Sequence, residues 1–204
     1  MTVLTFPAVR PSSMTWGLRG NTRTARSPVT GTAQTAAMGG DRWAVTLAFN
    51  SHRTSELYAL RAFLADLQGE AGRFYLWHHE RENPRGSALG TPLVMGAGQA
   101  GKTLVTDGWT PSQTGVLLPA DMIAVGGQLL MVTASADADG SGVATLAVTP
   151  ALRAAPADDA PLTVTQALGV FMLASDTEGQ VATQNGLDSV VINAVEDPLG
   201  GAGV

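Results

Sequence analysis

The sequence predicts a mainly β fold with one flanking helix and an inserted small β-barrel. Three observations carry this. Residues 41–49 alternate apolar and polar with a period of two, the mark of a half-buried strand. A single leucine stripe at helical spacing follows them. A run of short apolar segments punctuated by Gly-Gly, Asp-Gly and Asn-Gly then fills most of the second half.

In chain order, residues 3–9 read as a short strand ending near Pro11. Residues 1–40 are rich in Thr, Ser, Gly and Pro, and within them 21–40 has little apolar periodicity and reads as a long loop. Loops of this length inside a domain are often functional. This one is either a floppy connector or, in a ring subunit, an arm reaching onto a neighbour. On the arm reading its candidate interface residues are Asn21, Arg26, Pro28, Thr30 and Gln34. In the strand 41–49, Trp43, Val45, Leu47 and Phe49 share one face. A helix is expected over about 55–68. Thr54 or Ser55 would cap it, Leu57, Leu60, Phe63, Leu64 and Leu67 would face a sheet, and Gly69 would end it. Phe74, Tyr75, Leu76 and Trp77 are apolar in succession, as in a strand buried on both sides.

Residues 80–85 are charged and contain Asn83-Pro84, which marks a boundary. Beyond it, 86–161 reads as an inserted small β-barrel. Short strands are expected at 104–106 and 116–118, a hairpin at 122–133 turning on Gly126-Gly127, and a strand at 143–149. The Ala/Pro/Asp-rich stretch 150–161 leads back as a linker. The outer unit, 1–85 plus 162–204, then resumes with strands at 163–165 and 170–174 and a hairpin over 181–195, whose Asn185-Gly186 suits a type I′ turn. The last six residues are expected to fray.

Composition narrows the function classes. The chain has 204 residues, 45% hydrophobic, so a sizeable core can form. Only 14% are charged, well under the roughly 25% usual in soluble domains, which points to a surface that meets protein. The formal net charge is -5, Lys102 is the only lysine, and no basic run exists, so nucleic-acid contact is not expected. No cysteine is present, which removes disulfides and thiolate chemistry. Residues 1–16 lack a charged segment followed by an apolar one, so no secretory signal is expected. No stretch of about 18 apolar residues suggests membrane insertion.

One motif invites an enzymatic reading. Gly96-Ala97-Gly98-Gln99-Ala100-Gly101-Lys102-Thr103 matches the phosphate-binding loop letter for letter. That chemistry needs a helix after the loop, so that its N-terminal amides face the phosphates. The sequel Leu104-Val105-Thr106-Asp107-Gly108 argues against a helix, so no nucleotide cofactor is expected. The stretch 135–140 begins like a calcium loop, but Leu146 stands where the twelfth-position Glu would be needed. His78 and His79 are adjacent, so on a strand they face opposite sides; with His52 the only other histidine, no metal site is expected. The nucleophile elbow G-x-S-x-G is absent, and Asp158-Asp159 lies in a linker, so no catalytic residue is assigned and no enzymatic activity is expected. Among the tryptophans, Trp43 and Trp77 read as core. Trp16 and Trp109 read as loop residues open to solvent, which leaves Trp109 as a candidate glycan contact and a carbohydrate-binding module as an alternative function.

Three segments carry a family resemblance: the opening Met1-Thr2-Val3-Leu4-Thr5-Phe6-Pro7, the pair Arg26-Ser27-Pro28-Val29-Thr30-Gly31 and Gly40-Asp41-Arg42-Trp43, and residues 96–109. They resemble the distal-tail and tail-tip structural proteins of long-tailed bacteriophages. The resemblance implies a tail-tube-like β-sandwich or barrel with one helix, forming a hexameric ring. That ring would join the tail tube to the tip or baseplate, with the inserted domain on its outside. The implied partners are further copies of this chain and tail-tube, tail-tip or baseplate proteins. The implied location is the virion tail, after assembly in the bacterial cytoplasm. Another minor tail or terminator role is the alternative within the same class.

Overall fold

A computed structural model describes residues 2–197, the side chain of Ser51 excepted, and among these residues the chain forms fourteen strands, one α-helix and two short 3₁₀ turns. The predicted fraying of 199–204 lies outside these residues. The fold is mainly β.

The larger sheet is built from β1 (Leu4–Thr5), β2 (Ser13–Arg19), β5 (Arg42–Arg53), β6 (Phe74–Leu76), β12 (Gly169–Leu173), β13 (Ala182–Gln184) and β14 (Leu187–Glu196). Its order is β1-β6-β12-β14-β5-β2, with β13 hairpinned onto β14. All pairings are antiparallel except β1 with β6. The alternation read at 41–49 sets the register. Trp43, Val45, Leu47 and Phe49 face inward, opposite Val190, Ile192 and Ala194 on one side and Met14 and Trp16 on the other.

Helix α1 (Tyr58–Leu67) covers part of the inner face with Leu60, Phe63 and Leu67. Phe63 meets Phe6 and Phe74 edge-on at 5.3 and 5.5 Å. Burying each such side chain contributes about 1.5–3 kcal/mol, so packing rather than propensity holds this ten-residue helix. Thr54 does not cap it. A 3₁₀ turn at Thr54–Glu56 precedes the helix, and the Thr54 hydroxyl donates to Gly186 O and Asp188 Oδ1 instead. The Asp188 carboxylate is fully buried, and it also accepts the Thr183 hydroxyl and faces the Arg61 guanidinium.

β7 (Gly90–Val94), β8 (Gly101–Trp109), β9 (Met122–Val125), β10 (Gln128–Val132) and β11 (Ala144–Leu152) form a second sheet, ordered β7-β8-β11-β10-β9. Residues 161–163 close it. Leu162 N–H donates to Pro92 O on β7, while Thr163 and Ala124 exchange both backbone bonds on β9. A strip this short suffices because a barrel has only one seam to seal. Val94, Leu104, Leu117, Ile123, Leu130 and Leu146 fill the interior.

The two units share a core. Met122, Ala124 and Leu129 of the β9–β10 hairpin pack with Trp43 and Phe171 of the larger sheet, and Trp43 Nε1 donates to Leu129 O at 3.0 Å. The helix thus covers one part of the inner face and the barrel another. At the crossing into the barrel, the buried Asp121 carboxylate accepts the backbone N–H groups of Arg85, Gly86 and Leu118.

Several sequence expectations change. Residues 163–165 are not a strand of the larger sheet, because Thr163 bridges Ala124 of the barrel, and residues 150–152 belong to β11 rather than to a linker. The 74–77 strand is not buried on both sides: Phe74 and Leu76 are buried and Tyr75 is exposed, because only the inner face of the sheet is covered. Residues 116–118 make a single bridge, Leu117 with Ala136, rather than a strand. Residues 21–40 are not a loop.

Candidate functional site

The segment 21–40 is a β-hairpin arm. β3 (Thr22–Arg26) pairs with β4 (Ala33–Ala37) in five consecutive matches, from Thr22 opposite Ala37 to Arg26 opposite Ala33. The arm continues the β2–β5 ladder, which ends with Arg19 opposite Arg42. Between the two ladders the register slips, and Gly39 and Gly40 follow each other at φ +70° and +77°, a bend that residues with a Cβ rarely adopt. Asn21 fixes the bend. Its backbone N–H donates to Asp41 Oδ1 at 3.0 Å, its side-chain amide to Gly39 O at 2.8 Å, and its carbonyl accepts Met38 N–H.

Ser27 builds the tip. Its hydroxyl accepts the N–H groups of Val29 and Thr30, and its carbonyl accepts Gly31 N–H. Five residues at ~3.4 Å each carry the tip about 17 Å beyond the bend. Every residue of β3 and β4 is exposed, and Val29 at the tip is 90% exposed. A two-stranded hairpin alone is marginal in water. This one has a complete ladder and a built tip, yet buries no side chain of its own.

The candidate interface residues all lie on this arm: Asn21 at the bend, Arg26 ending β3, Pro28 and Thr30 in the tip, Gln34 opposite Ala25 on β4. All five are exposed, although the Asn21 side chain is committed to the bend. Sequence reasoning missed Arg19, Arg23 and Arg42 beside them. The signal was charge distribution: residues 1–40 contain four arginines and no acidic residue.

Trp109 is not a glycan platform. It ends β8 with 3% of its surface exposed, and its indole N–H donates to the buried Thr106 hydroxyl at 2.8 Å. Trp16 is likewise in a strand, half-buried against Trp43, His78 and Phe171. Both were read as loop residues because glycine and polar neighbours interrupt the apolar pattern around them.

The phosphate-loop lookalike is a β-hairpin connection between β7 and β8. Thr103 lies inside strand β8, so no helix N-terminus faces the loop. Its centre is filled by Gln99, whose amide donates to the carbonyls of Met95 and Val105 and accepts Val105 N–H. Gly96 N–H is taken by the Asp158 carboxylate, a group that would repel a phosphate. In the calcium-like turn, Asp139 accepts Ser141 and Val143 N–H, and these bonds hold its carboxyl below the usual carboxylate range. Among the described residues no three His, Asp or Glu side chains converge as a metal site.

His78 and His79 sit half-buried where β6 leaves the sheet. Burial lowers the pKa of both below 6.5, assisted by Arg81 for His78 and Arg10 for His79. Their rings pack on Trp16 and Trp77 respectively.

Among the described residues the larger sheet ends at β2, beside the extended basic arm, and at β1. No protein-family model matches this chain, and no characterised protein matches it in sequence.

Proposed function

We propose that this protein is a non-enzymatic structural subunit of a bacteriophage tail, assembling with copies of itself into a ring, six to a ring, at the distal end of the tail tube. The observation that carries assembly is the arm. A hairpin with a full ladder and no buried side chain gains its stabilisation from a surface outside its own chain. The two open edges of the larger sheet support the same reading, since a ring covers edges that would otherwise template aggregation. The tail assignment rests on the resemblance of residues 1–7, 26–31, 40–43 and 96–109 to distal-tail proteins. Tail-tube and tail-tip or baseplate proteins are the neighbours this role requires.

Negative-stain micrographs and native mass spectrometry of the purified chain at high concentration test the ring. Closed rings of uniform copy number are the expected result. A chain that stays monomeric at every concentration, and is missing from purified virions by mass spectrometry, sinks it.

A further inference from the structure

Four of the cationic side chains that meet no carboxylate among the described residues lie together on the arm and its base; the others, Arg10, Arg53, Arg81 and Lys102, lie elsewhere along the chain. The guanidinium groups of Arg61, Arg73, Arg85 and Arg153 each meet a carboxylate of the same chain, and that of Arg81 donates to Ala120 O. Those of Arg19, Arg23, Arg26 and Arg42 meet none among the described residues. Arg19 and Arg42 are also directly opposed across the β2–β5 ladder, an arrangement of like charges that destabilises a sheet unless an anion lies between them.

The matching anions cannot come from the arm, because the first 40 residues hold none; all 17 acidic residues lie beyond them. Three of these gather at the opposite side of the larger sheet. Asp66 and Glu70, at the end of α1 and just after it, are exposed, and their carboxylates have no partner among the described residues. Asp176 joins them, its carboxylate accepting Glu70 N–H at 2.9 Å. A groove lined by Leu4, Asp66, Gln68 and Arg73 puts Asp66 beside β1, with the Glu70–Asp176 pair just past the end of the helix. The arm leaves from β2, the other terminal strand of the same sheet.

We infer that the arm docks on a second copy of this chain through its arginines, which meet the Asp66–Glu70–Asp176 cluster beside the neighbour's β1, so that the contact is head-to-tail. The inference rests on the assembly reading above and adds which surface receives the arm. A protein surface fits better than a nucleic acid, because the rest of the chain is strongly acidic and would repel a polyanion. Basic and acidic patches at different places on one subunit make a heterologous contact, which closes into a ring or runs on as a filament and does not stop at a twofold dimer.

Sedimentation velocity of the full chain in low and high salt, with three variants, tests this. Arg19→Glu/Arg23→Glu/Arg26→Glu reverses the arm; it removes the Arg19–Arg42 repulsion, so the melting temperature should hold or rise. Asp66→Lys/Glu70→Lys reverses the receiving cluster and leaves Asp176 in place. Each set is expected to weaken assembly by about tenfold or more, and the two combined in one chain to restore most of it. Wild-type assembly should weaken with salt, as the screening length shortens from about 10 Å at 0.1 M to about 3 Å at 1 M. If both reversed variants form wild-type rings, the docking inference is wrong while the ring reading stands. Wild type that stops at a dimer overturns the head-to-tail contact. Wild type that stays monomeric removes both readings, and if it then binds duplex DNA through the same arginines, the arm's partner is a polyanion.

Discussion

At the residue scale, one buried ion pair ties the two units together. Glu196 is 1% exposed and accepts both terminal nitrogens of Arg153, at 3.0 and 2.5 Å, together with Trp43 N–H at 3.2 Å. Arg153 lies just past β11 of the barrel and also donates to Asp41 O at the base of the arm. Removing the arginine leaves a carboxylate with no counter-charge in the core. Arg153→Met should therefore cost about 3–5 kcal/mol in urea denaturation, and adding Glu196→Gln should recover much of that. A loss under about 1 kcal/mol for the single variant would show that the pair matters little.

The two half-buried histidines belong to the same scale. Their folded-state pKa values lie below 6.5. As pH falls through 6.5 the unfolded chain takes up protons first. The stability these residues contribute is thus complete above pH 6.5 and is lost as pH falls from there toward their folded values. Arg10 and Arg81 oppose protonation, while Glu80 and Glu82 favour it, and desolvation is the largest influence. The melting temperature should drop between pH 7.5 and 5.5, and the drop should shrink in His78→Gln/His79→Gln. An unchanged drop in that variant would assign the pH dependence to other groups.

At the element scale, the arm is separable from the fold that carries it. No residue of β3 or β4 belongs to either core. Replacing residues 22–37 by a short Asn-Gly turn should leave the melting temperature within a few degrees of wild type and abolish ring formation in micrographs. A large loss of stability would mean that the arm folds back onto its own subunit in solution. The helix is the opposite case. Its three buried residues sit against Phe6, Phe49 and Phe74, so it cannot leave without opening the core.

At the scale of the whole molecule, the inserted barrel completes the larger unit's core. Leu129 contributes a fully buried side chain and also the carbonyl that satisfies the Trp43 indole. Calorimetry should give a single unfolding transition. Leu129→Ala should lower stability by about 2–5 kcal/mol and begin to separate the barrel from the frame. Two well-separated transitions in the wild-type chain would show that the shared core does not couple them.

The sequence determined the local geometry of this protein. Period-two alternation fixed the inner face at Trp43, Val45, Leu47 and Phe49. Gly126-Gly127 and Asn185-Gly186 fixed two hairpins, because a tight turn depends only on neighbours along the chain, and the leucine spacing fixed which face of the helix would meet a core. The tertiary structure decided what long-range partners decide. It showed the arm as paired strands, since β3 and β4 are too polar to reveal a buried face. It buried Trp109 through a bond to Thr106, showed Tyr75 uncovered, and filled the glycine-rich loop with Gln99. It also separated the unpaired arginines of the arm from those satisfied elsewhere, a distinction that composition cannot make because every arginine carries the same charge whether or not a carboxylate lies beside it.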